Sequence, residues 1–132
     1  MNRLLSQLNR RLAKRGEAVW LQRFAGSGAN RPAIRAEVPA IVRALTMEQL
    51  IGNISQQNLF IIISPTHLWD HKQWPGGVTP TTQTAGLIDP TDPRLPTTSD
   101  SIFCRGPQRA ITNVKPVFDM GECIRIEISC LG

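Results

Sequence analysis

Residues 110–132 read "AITNVKPVFDMGECIRIEISCLG". Ile124, Ile126, Ile128 and Cys130 alternate with Arg125, Glu127 and Ser129, and alternation at period two marks a strand with one buried face. Asp119, Met120 and Gly121 form a tight turn before it, and "AITNVKPVF" is the strand on the other side of that turn. The last strand is expected to pair with its predecessor and help close a barrel, with Ile124, Ile126 and Ile128 in the core.

The same period recurs upstream. In "EAVWLQRF" (17–24), Trp20, Gln22 and Phe24 share one face and Val19, Leu21 and Arg23 the other, and Trp20 and Phe24 are expected inside. "AGSGANRP" (25–32) is a turn or hairpin loop. "AIRAEVPAIVRAL" (33–45) puts Ile34, Ala36, Val38, Ala40 and Val42 on one face, and Pro39, lacking an amide proton, predicts an edge or a bulge. "NLFIIISP" (58–65) is the most hydrophobic strand, expected to be central and to end at Pro65. "SIFCRG" (101–106) is a further strand, turning at Gly106 and Pro107.

Helical spacing appears at three places. Leu4, Leu5, Leu8 and Leu12 in "NRLLSQLNRRLAKRG" predict an amphipathic helix with Leu4, Leu8 and Leu12 as a narrow apolar stripe, stopped at Gly16. Arg10, Arg11, Lys14 and Arg15 lie on its other side. Thr46 and Gln49 have the spacing of a capping box and predict a short helix before Gly52. Thr66 is expected to cap another short helix in "THLWDHKQWPGG". Between Gly76 and Thr98 the composition turns to Gly, Pro, Thr and Asp, with prolines at 80, 90, 93 and 96. That is a long loop, and a loop of this length needs a partner or a role that tolerates mobility. The fold class is therefore mainly β: a small antiparallel β-barrel or sandwich with an N-terminal amphipathic helix (1–16) and a long Pro/Thr-rich loop (76–98), one domain over residues 1–132.

Charge is unevenly spread. The 132 residues carry fifteen Lys and Arg against ten Asp and Glu, net +5. Nine of the basic residues but only Glu17 and Glu37 among the acids fall in residues 1–43, so the positive field sits where a polyanion or an acidic protein would sense it. The apolar run "LFIIIS" is far shorter than a membrane-spanning helix and nothing before Arg3 resembles a cleavable signal; a soluble, non-secreted protein with no membrane partner is expected. Cys104, Cys123 and Cys130 are odd in number and lack the close pairing of a zinc or redox motif, which makes them buried apolar side chains.

Chemistry is sparse. His67 and His71, with Asp70 between, offer too few ligands for a metal site. "GSGAN" (26–30) has no Lys-Ser or Lys-Thr pair and no βαβ context for a phosphate loop. Cys104 beside Arg105 has no base nearby in sequence to activate it. No nucleophile elbow or supported acid pair is present, so no catalytic residue, metal or cofactor is assigned and an enzyme is not expected. Aromatic residues are not interleaved with Lys and Arg as nucleic-acid stacking platforms are.

Three segments together carry a resemblance: "LNRRLAKRGEAVWLQR" (8–23), "TMEQLIGNISQQNLFIIISPTHL" (46–68) followed by "WPGG" (74–77), and "RAITNVKPVFDMGECIRIEISCLG" (109–132), where Asn113, Val114, Pro116, Gly121 and the alternating isoleucines fall on the pattern. The chain resembles the head-tail joining, or head-completion (stopper), proteins of tailed bacteriophages and gene transfer particles. The resemblance covers most of the chain outside roughly 78–97, where a proline-threonine stretch replaces a shorter charged link. It implies a β-barrel or sandwich assembling as a homo-oligomeric ring of six or twelve copies in the virion neck, put together in the host cytoplasm. Such a ring binds the portal or adaptor on the head side and the tail terminator or tail tube on the other, and lies close to viral DNA in the channel. Its role is to join head to tail and retain the packaged genome. The alternatives are a tail-completion or tail-terminator ring and a DNA-binding accessory domain using the basic helix. The residues expected at partner contacts are Arg10, Arg11, Arg15, Trp69, Trp74, Leu87, Ile88 and Leu95.

Overall fold

The computed structural model describes residues 3–24, 33–45, 58–69, 74 and 95–131. Helix α1 (Arg3–Arg15) leads into β1 (Glu17–Phe24), β2 (Ala33–Leu45) and β3 (Asn58–Ile63); a short helix α2 (Pro65–Trp69) follows, then β4 (Ser101–Cys104), β5 (Gln108–Asp119) and β6 (Glu122–Cys130). The six strands close into an antiparallel barrel in the order β1-β2-β3-β6-β5-β4, with β4 returning to β1. The barrel alternative of the sequence reading is the one realised. The terminal strand β6 lies between β3 and β5 and joins the two halves of the sheet. The short helix expected within 46–55, the loop 25–32 and most of 76–98 lie outside the described residues.

The interior is filled by alternate residues of each strand: Val19 and Leu21, Ala36, Val38 and Ala40, Leu59, Ile61 and Ile63, Ile102 and Cys104, Ile111, and Ile126, Ile128 and Cys130. None of these side chains is larger than Leu or Ile. A six-stranded barrel is narrow, and its lumen closes on small and branched side chains. This overturns the face expected for β1. Trp20 and Phe24 are 40% and 48% exposed on the outer wall, while Val19 and Leu21 are fully buried. Both faces of β1 are apolar enough to go inward, and size decides between them.

A second correction lies in β6. Two irregularities interrupt its ladder with β5, one at Thr112 and one at Ile124. An extra residue shifts the inward parity. Cys123 therefore enters the barrel interior, while Ile124, buried as expected at 7% exposure, packs outside that interior and lines the groove beneath α1 with Leu4, Leu8, Ile41 and Ile62. Pro39 makes no bulge but does sit where β2 is paired on one side only, the edge position its missing amide proton predicts. It faces Ala18 of β1 and stands one residue before the β3 ladder begins at Ala40 and Ile63, where no bond to β3 is lost.

Helix α1 lies on the outer wall over β2 and β6. Its buried leucines are Leu5 and Leu12, while Leu4 is 45% exposed, so the stripe Leu4, Leu8, Leu12 is not the one that packs. Positions four apart drift by about 40°, so Leu4 stands about 80° from Leu12 whereas Leu5 stands within about 20° of it, and half-buried Leu8 falls between Leu4 and Leu12. At the end of α1 the Gly16 amide bonds the Leu12 carbonyl at 2.9 Å. A Cβ on Gly16 would lie 2.5 Å from that carbonyl oxygen and 3.1 Å from Pro39 Cβ, so the crossing from helix to barrel excludes a side chain. Ser64, not Thr66, caps α2. Pro65 takes the first helical position, and the Ser64 hydroxyl accepts the Thr66 N–H at 3.2 Å. Asn9 of α1 joins the same group, accepting from the Ser64 hydroxyl and donating to Thr66 Oγ1.

Two hairpins turn on two residues with positive φ at both positions, the type I′ signature. These are Arg105 and Gly106 (56° and 108°) and Met120 and Gly121 (52° and 82°). In the first, Pro107 has no N–H to give, so the closing bond runs from Cys104 N–H to Pro107 O at 3.4 Å.

One end of the barrel is closed by a polar clamp. Arg23, facing inward from β1, makes a two-pronged ion pair with Asp100 at 2.9 and 2.8 Å, donates to the Leu95 carbonyl at 2.9 Å and lies 4.4 Å over the Trp74 ring. Asp100 also accepts the Thr97 N–H at 2.8 Å and is 5% exposed. Every buried charge here has a partner, the condition under which burial of ions is tolerated.

Thermal melts of two variants test the face assignment. Ile126→Ala is expected to cost about 2–5 kcal/mol, as cavity-forming core substitutions do, whereas Trp20→Ala is expected to cost about 1 kcal/mol or less. Asp100→Asn, which leaves the Arg23 charge without its counter-ion, is expected to cost about 3 kcal/mol in urea unfolding.

Candidate interaction surfaces

No three His, Cys, Asp or Glu side chains among the described residues gather to hold a metal ion. All three cysteines are buried and free. Burial pushes the Cys123 thiol up to about 11, and pushes Cys104 and Cys130 upward as well. At Cys104, burial is the main cause and Glu17 adds to the upward push, while Arg109 and Arg105 pull the other way without reversing it. The arginine beside it does not make this cysteine a thiolate.

What the outer wall offers instead is two apolar surfaces. The first is the groove under α1, of about 270 Å³, floored by Ile41, Ile62 and Ile124 and walled by Leu4 and Leu8, with Gln7, Arg11 and Arg125 at its rim. It exists because β2, β3 and β6 each turn an isoleucine outward there and the helix covers them only in part. The helix is basic on its open side: Arg3, Arg10, Arg11, Lys14 and Arg15 are all exposed, and no acid occurs between residues 3 and 15.

The second is an aromatic patch on β1, β4 and β2. Trp20 stands opposite Phe103 in the β1–β4 ladder, and the Arg35 guanidinium lies 4.9 Å over the Phe103 ring while bonding Gln22 at 2.9 Å. Phe24 continues the exposed row along β1. Tryptophan, phenylalanine and arginine are the residues that dominate protein interfaces. Sequence reasoning missed this patch because it placed Trp20 and Phe24 in the core. The signal available was size, since two bulky rings on one strand face do not fit a narrow barrel.

The residues expected at partner contacts separate. Arg10, Arg11 and Arg15 are exposed on α1. Trp74 and Leu95 are both 4% exposed and belong to the hydrophobic core; in this chain they anchor the clamp end of the barrel rather than present themselves to a partner. Trp69 is the last residue of α2, and its side chain is not described. Leu87 and Ile88 lie outside the described residues, as do Asp70 and His71. His67 is half-buried on α2.

In the native protein at pH 8 the three thiols are expected to resist a disulfide reagent, because each stays protonated and shielded. All three become reactive in denaturant, where the ordinary value near 8.5 returns. Counting modified cysteines by mass spectrometry checks this.

No family model, no curated protein and no solved structure matches the chain.

Proposed function

We propose that the chain is a structural protein of the neck of a tailed-phage or gene transfer particle, forming a ring that joins the portal or adaptor of the filled head to the tail and helps retain DNA. The observation that carries the reading is the pair of unlike apolar surfaces on one closed barrel. The strand order sets β6, which floors the groove, opposite β1, which carries the aromatic patch. The six strands close on one another, which leaves little free sheet edge for growth, so association is proposed to run through side chains. Two unlike surfaces on different sides favour head-to-tail contacts, which generate rings when the rotation closes. The three segments that resemble head-tail joining proteins supply the identity of the assembly, and the basic face of α1 suits a position close to packaged DNA.

Cryo-electron microscopy of the neck of purified particles tests this. The expected result is a ring of this barrel between portal or adaptor and tail, and density traced to other chains throughout that region overturns it.

A further inference from the structure

The cations of α1 differ from those that the barrel neutralises. On the barrel, Arg23 is paired with Asp100, Arg105 with Glu17 and Arg125 with Glu127. Arg3, Arg10, Arg11, Lys14 and Arg15 are all exposed, and none of them is ion-paired to another described residue. At about 100° and 1.5 Å per residue the five fit within an arc of about 140° over a length of about 18 Å. Arg3, Arg10 and Lys14 stand roughly opposite the line of Leu5 and Leu12 that is buried on the barrel. Helix stability does not account for this arrangement. Lys14 and Arg15 suit the C-terminal end of the helix dipole, but Arg3 occupies the first turn, where a cation is disfavoured and no acid is present. Arg10 with Lys14 and Arg11 with Arg15 are like charges four residues apart, which repel. A face that weakens its own helix in both ways is explained by an anion outside the molecule.

The chemistry of the face selects among anions. Four of the five cations are arginines, whose planar fork binds phosphate through two parallel hydrogen bonds. An anionic membrane is disfavoured, because the apolar line of the helix is turned onto the barrel and leaves little to insert. Single strands are held by stacking their bases on aromatic rings. Helix α1 has no such ring, and the exposed rings of Trp20 and Phe24 belong to β1, whereas α1 lies over β2 and β6. A face of point charges, with Gln7 as the one amide within its arc, grips phosphates and carries no base pattern. We infer that the outward face of α1 binds the phosphate backbone of duplex DNA without regard to sequence. The choice of DNA as the duplex rests on the neck reading, where the packaged genome is the neighbouring polyanion; the phosphate contact itself does not.

Fluorescence anisotropy of the full chain with two labelled DNA duplexes of unrelated sequence, titrated across a salt series, tests this. The wild type is expected to bind both alike, and the logarithm of its association constant to fall against log salt with a slope of about −3.5 to −4.5, or about 0.9 per phosphate contact. Arg10→Gln with Lys14→Gln removes two contacts and one repulsion. The slope is expected to become shallower by about 2, affinity at low salt to fall roughly 10- to 100-fold, and the melting temperature to hold or rise. Ala110→Glu with Lys115→Gln lowers the net charge by the same amount at exposed positions of β5 and is expected to leave the slope unchanged. The inference is overturned by no binding at the lowest salt, by a slope that the α1 double variant leaves as it was, or by an equal loss from the β5 pair. Tighter binding to an RNA duplex, a single strand or anionic phospholipid vesicles than to duplex DNA overturns it as well. If neck imaging places the ring while duplex binding fails, the ring reading stands and this contact falls; if duplex binding holds while the neck is built of other chains, the contact stands and the ring falls.

Discussion

A lumen too narrow for aromatic rings is the constraint from which most of this molecule follows. Six strands closed on one another turn Val, Leu, Ile, Ala and Cys inward, and Trp74, the aromatic side chain that joins the core among the described residues, comes from outside the strands. The rings of Trp20, Phe24 and Phe103 are left for the outer wall or its margin, where Arg35 stacks on one of them. The same narrowness makes core residues interchangeable in type but strict in parity. A single extra residue at Ile124 is therefore enough to move that side chain from the lumen to the helix groove. Function, on this reading, is built from what the interior refuses.

Much of the architecture was legible in the sequence, and for a physical reason. Strands β2, β3 and the end of β6 alternate cleanly because one face is wholly buried, so their inward residues follow from period two alone. The tight turn at Met120 and Gly121 and the helix stop at Gly16 were equally plain. The two exceptions have different causes. Strand β1 carries apolar residues on both faces, and alternation cannot rank them without knowing the lumen's width. Ile124 belongs by sequence to an unbroken series, and the bulge that removes it depends on β5, its partner across the turn.

The interaction surfaces were less legible than the fold. The basic side of α1 is visible from charge alone, and it is exposed. The groove beneath it requires outward isoleucines from three strands separated in sequence, together with the rotation of α1 that buries Leu5 and leaves Leu4 at the rim. Trp74 and Leu95 looked like surface contacts because they flank a loop-like stretch. The clamp around Arg23 turns them inward, a contact spanning more than seventy residues of sequence that no local pattern announces.

That clamp has a consequence for how the chain tolerates change. Trp74 and Leu95 meet the same guanidinium, so two positions well separated in sequence are tied to one side chain of β1. The entropy of bringing two points of a chain together rises only with the logarithm of the number of residues between them. Lengthening or shortening the chain between these two anchors is therefore expected to change barrel stability little.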